Sequence, residues 1–155
     1  RQMKNKLNGV VGAALAVSAM ALIPLAASAR TTPASSGRAQ YWSDGSCFSL
    51  SYSTMTNNCS TTKSFEIPLS VGPSGSKTVY VTGHGANSSS SVGCMAIGMN
   101  REFTLVYGGT RKWLDQFGVA DIITLTDAYV PGWGYLYVNC SVMPGGRVHT
   151  VGYND

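Results

Sequence analysis

Charge is scarce in this 155-residue chain: Asp, Glu, Lys and Arg together make up 12% of it. A helical bundle dresses its solvent faces with Ala, Glu, Leu and Lys, so this shortage argues against one. Histidine occurs twice, as His84 and His149, and no C-x-x-C or H-x-x-x-H spacing is present. With Cys94 and Cys140 those histidines could supply four zinc ligands, but oxidised cysteines cannot ligate as thiolates, so no metal is expected. No G-x-S-x-G elbow occurs, and the seven acidic residues are scattered without a pair on one evident face. No catalytic residue and no cofactor are therefore expected, and the chain is read as not an enzyme.

Two glycine-rich stretches look like nucleotide loops and fail on their context. Gly72 to Thr78, GPSGSKT, lacks the glycine before lysine that a phosphate loop needs, and it runs into the strand-like VYVT instead of a helix. Gly83 to Ser88, GHGANS, lacks the third glycine of a dinucleotide fingerprint and has no βαβ unit around it. Both are read as turns or loops.

Only one long apolar run exists, Val10 to Leu25. Arg1, Lys4 and Lys6 precede it and Ala27-Ser28-Ala29 follows, the layout of an export leader, so residues 1–29 are expected to be a cleaved signal peptide. The run is short for a membrane span, and no membrane span is expected after cleavage. Loss of the three basic leader residues leaves eight basic side chains against seven acidic ones, a charge of about +1. The sequence pI of 9.0 is then no nucleic-acid footprint. Residues 30–40, RTTPASSGRAQ, are polar without apolar period and are expected to form a flexible mature N-terminus. A single domain is expected over residues 41–155.

That domain reads as strands. Leu136, Val138, Cys140 and Val142 alternate with Tyr135, Tyr137, Asn139 and Ser141, a period of two with one apolar face. MPGG then breaks the chain, and Val148 and Val151 lie beyond it, so a β-hairpin is expected here with the rest of the chain packed on it. Further strands are expected at Cys47 to Tyr52 (ending at TMTNN), Phe65 to Leu69, Lys77 to His84, Cys94 to Ile97, Phe103 to Tyr107 and Ile122 to Leu125. Pro68 marks its strand as an edge or a bulge. Thr110 to Phe117, TRKWLDQF, is the one helix candidate, because Trp113 and Phe117 are four apart before Gly118. About eight strands with short connections predict an all-β fold, an antiparallel β-sandwich or jelly roll.

The four cysteines, Cys47, Cys59, Cys94 and Cys140, are even in number and all follow the leader. Two disulfides are expected in an oxidising compartment. Three pairings exist, of which Cys47–Cys59 with Cys94–Cys140 is favoured: the first closes a local hairpin across SYSTMTNN, and the second ties a middle strand to the C-terminal hairpin.

Aromatic residues cluster near the C-terminus, in AYVPGWGYLY. Tyr129, Trp133, Tyr135 and Tyr137 are the candidate binding residues, with Asn139 and Ser141 as neighbouring hydrogen-bonding groups. If Leu136 and Val138 face the core, Tyr135 and Tyr137 face outward together, where flat rings can stack on sugar or on another protein. The competing reading is that these rings only brace neighbouring strands or lie under a second sheet.

An early cysteine pair, the Cys-led stretch CMAIGMN and the ending YLYVNCSVMPGGRVHTVGYND give the chain a resemblance. It resembles small exported proteins of proteobacteria, of the myxobacterial type, to which no activity is attached. The resemblance implies a β-sandwich and secretion and assigns no site. The resulting expectation is a secreted or extracellular module, periplasmic or surface-associated, that binds polysaccharide or a cell-surface component without catalysis. The alternative is self-association into a surface layer or filament; no nucleic-acid partner is expected.

Overall fold

The computed structural model describes residues 29–154; the leader, apart from Ala29, lies outside the described residues. Twelve strands follow one another: β1 (Ala29–Pro33), β2 (Arg38–Ala39), β3 (Phe48–Ser51), β4 (Thr54–Asn57), β5 (Lys63–Leu69), β6 (Gly75–His84), β7 (Val92–Met99), β8 (Val106–Gly108), β9 (Lys112–Trp113), β10 (Ala120–Val130), β11 (Tyr135–Val142) and β12 (Arg147–Asn154). They form two six-stranded antiparallel sheets. The first runs β10-β6-β12-β4-β3, with β1 also on β12; the second runs β2-β5-β11-β7-β8, with β9 also on β7. The fold is the antiparallel β-sandwich that the alternating pattern predicts.

Alternation places the core. Val79 and Val81 of β6 face Phe65 and Ile67 of β5 and Val138 and Cys140 of β11 across the gap between the sheets, all of them buried. Lys77 obeys the same period and is buried with them. Two bulges let inward residues lie three apart. One between Val148 and Thr150 keeps both Val148 and Val151 inside, and one between Leu125 and Ala128 does the same in β10.

The structure corrects several expectations. The stretch after Trp133 is not a hairpin: β11 is central in one sheet and β12 is central in the other. The MPGG turn carries the chain between layers, because Gly145 and Gly146 bond Asn57 at the end of β4 and not the neighbouring β11. TMTNN does not end a strand. Its first four residues are β4, which pairs with β3 around a two-residue turn at Tyr52 and Ser53 and buries Met55. Residues 30–40 are not a loose tail either. β1 pairs with β12 from Ala29–Asn154 to Pro33–Thr150, β2 pairs with β5, and Ala34 between them is buried in the core. Thr110 to Phe117 forms no helix. Lys112–Trp113 is β9, and the amides of Asp115 and Gln116 donate to the Asp121 carboxylate, not to helical carbonyls. These backbone bonds hold Asp121 below the usual carboxylate range.

Each sheet carries one disulfide, and neither bond crosses between the layers. Cys47–Cys59 brackets the β3–β4 hairpin, and Cys94–Cys140 joins directly opposed residues of β7 and β11 within the core. Pro68 lies where β5 has no outer neighbour, since β2 covers only Phe65 and Glu66. It therefore costs no ladder bond on that side.

Candidate functional site

The outer face of the second sheet divides into a covered half and an open half. On β11 the outward residues are Tyr135, Tyr137, Asn139 and Ser141, opposite Met99, Ile97, Met95 and Gly93 of β7. The strip Thr110–Trp113 lies across the Asn139 end. Arg111 donates to the Gly93 carbonyl at 2.5 Å and to Asn139 Oδ1 at 2.9 Å, and the Gln40 side chain accepts from Asn139 Nδ2 at 3.2 Å. Trp113 packs so close to Gly93 that any β-carbon there would sit 2.4 Å from its indole. Asn139 is thus buried and its amide occupied. It cannot serve as the exposed hydrogen-bonding group the sequence offered, and Ser141 lies in the same covered half.

The Tyr135 end stays open and forms a groove of about 540 Å³ lined by Glu66, Pro68, Met99, Phe103, Tyr135 and Tyr137. Tyr135 and Phe103 stack nearly parallel, with centroids 5.3 Å apart and planes 11° apart, and both rings remain open to solvent, at 49% and 61% exposure. Arg38 Nε lies 3.9 Å from Glu66 Oε2 at the rim. Burial, then the Glu66 charge, pushes the Tyr137 hydroxyl above its ordinary value, so it stays protonated and can donate. Chemically, the groove offers flat apolar rings beside a carboxylate, a guanidinium and a phenol. That set can stack on a ligand's apolar face and bond several hydroxyls, with near-zero net charge.

The four candidate aromatics part company. Tyr135 and Tyr137 share the groove. Tyr129 sits on the edge strand β10, edge-on to Tyr107 at 5.3 Å and 67°. Trp133 stands in the loop before β11, 88% exposed, beside a separate cleft. Phe103 was hidden in the sequence because it looks like one more strand position. In the structure it closes a turn on Asn100, whose Oδ1 accepts from Thr104 and Leu105, and it adopts φ 58°.

Cys94 and Cys140 are bonded to each other in the core, so they offer no thiolates and the four-ligand zinc grouping is not assembled. Among the described residues no three His, Cys, Asp or Glu side chains are grouped to hold a metal. His149 Nδ1 lies 2.9 Å from Thr54 Oγ1. Burial, with the His84 and Arg147 charges adding to it, lowers the His149 pKa from 6.5. Its folded value is below its unfolded one, so its share of stability is complete above about pH 6.5 and is lost as pH falls through the folded value. His149→Gln is expected to flatten that limb of the stability–pH curve, measured by urea melts.

The fold and groove define a disulfide-stapled β-sandwich with an open aromatic groove on one sheet. No protein-family model and no curated protein matches the chain. Solved structures give distant likenesses. One concerns the promiscuous specificity of carbohydrate-binding modules of the β-sandwich superfamily, at 13% identity and TM-score 0.42, over 65% of this chain and 43% of that one. A second is TmCBM61 in complex with β-1,4-galactotriose, at 14% identity and TM-score 0.41, over 81% and 86%. A third is the C-terminal CBM6 of LamC, a marine laminarinase from Zobellia galactanivorans, at 12% identity and TM-score 0.42, over 83% and 100%. At this distance the likenesses carry no argument about a ligand.

Proposed function

We propose that the protein is a secreted, non-catalytic binding module that takes polysaccharide in the groove of the second sheet. The carrying observation is the solvent-open Tyr135–Phe103 stack beside Tyr137, Glu66 and Arg38. A pyranose has an apolar face suited to such rings and equatorial hydroxyls suited to flanking charged groups. The two disulfides fit an oxidising extracellular compartment. Among the described residues no helix is long and apolar enough to cross a membrane.

The test is titration calorimetry against mixed-linkage β-glucan, xylan and mannan. Tyr135→Ala removes a central aromatic contact and is expected to weaken binding about 30-fold, the scale of a hot-spot ring. Tyr137→Phe keeps the ring, removes one hydroxyl and should weaken it about fivefold. Raising salt should change affinity little, since Arg38 and Glu66 already pair. Wild-type affinity with no response to Tyr135→Ala would defeat this reading.

One observation favours self-association as the second reading. Leu105 and Val106 are exposed next to Phe103, and Val106 opens the edge strand β8. Sedimentation velocity over a range of concentrations decides it. A mass that rises with concentration and collapses in the Tyr135→Ser, Tyr137→Ser variant would favour assembly over glycan binding.

A further inference from the structure

Backbone strain and exposure coincide at three residues. Among the described residues, the non-glycine positions with positive φ are Tyr52, Phe103 and Trp133, at 53°, 58° and 63°, and each is an exposed aromatic. Bulky side chains rarely adopt this backbone region, and such outliers gather at ligand contacts. Phe103 already lines the groove. Trp133 lies beside it, in a place that neither the groove nor the core explains.

The local geometry is a turn. Gly134 N–H donates to the Pro131 carbonyl at 2.9 Å, so Gly132 and Trp133 are its two central residues. The second central position with positive φ is one that glycine fills without strain. A tryptophan held there at 88% exposure gains little from burial in return. Beside its ring opens a cleft of about 500 Å³, lined also by Val71, Pro73, Ser74, Pro131 and Gly132. Three glycines, Gly72, Gly132 and Gly134, are among its lining residues, and a glycine can offer a ligand only its backbone amide and carbonyl. The cleft adjoins the groove at two points. Trp133 is two residues from Tyr135, a span of at most about 7 Å. Gly134 sits so near the Met99 carbonyl that an added β-carbon would approach it to 2.4 Å, and Met99 lines the groove.

We infer that Trp133 and its cleft form a second subsite, separate from the groove, and that the two together hold an internal stretch of a long glycan chain. This rests on the groove being a glycan site. A short oligosaccharide fills the groove alone, whereas a longer chain continues onto the indole. The module therefore reads chain length.

Calorimetry with a size ladder cut from whichever of β-glucan, xylan or mannan binds the wild-type protein tests this, from disaccharide to beyond hexasaccharide. Wild-type affinity is expected to climb with length and then level off. Trp133→Gly should leave short-chain affinity unchanged and lower long-chain affinity about tenfold, a modest share of a stacked-ring contact. Its melting temperature should rise by about 3 °C as the left-handed strain is relieved, which separates lost binding from lost folding. Long-chain affinity unaffected by Trp133→Gly, with Tyr135→Ala still damaging, overturns the second subsite and leaves the groove standing. Equal losses for short and long chains show one undivided site and also overturn it. A wild-type protein that binds none of the three polymers removes the groove reading and this inference together.

Discussion

Replacing Cys94 and Cys140 together with alanine is expected to cost about 4 kcal/mol of folding stability, and to lower the melting temperature by roughly 15 °C. The two residues are 46 apart in sequence, and the chain between them leaves β7, builds the short β8 and β9, crosses to the other sheet as β10 and returns as β11. A tie across such an excursion removes much of the unfolded chain's freedom. Cys47–Cys59, only 12 apart, brackets one hairpin, and its removal should cost about 3 kcal/mol by the same loop-closure estimate. Accessibility should separate the bonds as well. Cys94 and Cys140 are both fully buried, whereas Cys59 is partly open. Mild reductant under native conditions, followed by alkylation and intact mass, should label Cys47 and Cys59 first. A double-alanine variant at 94 and 140 that loses less than about 1 kcal/mol would show that this tie does not govern stability.

Most of the core was legible in the sequence, and the reason is physical. Phe65, Ile67 and Leu69, and Leu136 through Val142, alternate because each sheet has one face inward and one toward water. Connection and pairing were less legible. The turn residues of MPGG announce a reversal, but not whether the next strand pairs with the last or joins the opposite sheet. That choice rests on Gly145 and Gly146 bonding Asn57, a long-range contact with no local signature. β1 escaped notice because it pairs through its backbone and buries little side chain, so RTTP carries no apolar period. Trp113 and Phe117 looked helical by spacing alone, yet Trp113 is laid flat over Gly93 in an extended strip. Half of the candidate site was legible. Alternation brought Tyr135 and Tyr137 to one outward face, while Asn139 on that same face was buried by a strip whose course no spacing predicts. Phe103 and the special posture of Trp133 depend on φ, which composition does not reveal.

Asn57 is the polar residue whose loss should hurt most. It is fully buried at the end of β4. Its Nδ2 donates to the Val142 carbonyl at 2.7 Å and to the Thr61 carbonyl at 2.9 Å, and its Oδ1 accepts from Cys59 N–H at 2.9 Å. Its backbone N–H donates to the Gly146 carbonyl at 3.1 Å, and its carbonyl accepts from Gly145 N–H at 2.8 Å. The side chain thus fastens the disulfide loop and the last residue of β11, while the backbone of the same residue holds the passage between the sheets. Asn57→Ala strands the buried Val142 carbonyl, takes a partner from the partly buried Thr61 carbonyl and Cys59 amide, and should cost about 3 kcal/mol. Asn57→Asp keeps the shape and should cost more, about 4 kcal/mol near pH 7, because it aims a carboxylate at two carbonyl oxygens. The sign of its pH dependence follows. Burial and those carbonyls favour the protonated acid, so the folded pKa of the new carboxyl rises above the unfolded value of about 3.9. Relative to alanine, the aspartate variant should recover stability as pH falls toward about 4, where the neutral acid can donate one of the two lost hydrogen bonds. It should lose that advantage as pH rises through the folded value. Urea unfolding of both variants at about pH 4 and about pH 7 measures this directly. An aspartate variant with the same deficit relative to wild type at both pH values would mean that the site admits water, and that Asn57 is not the buried fastening its contacts describe.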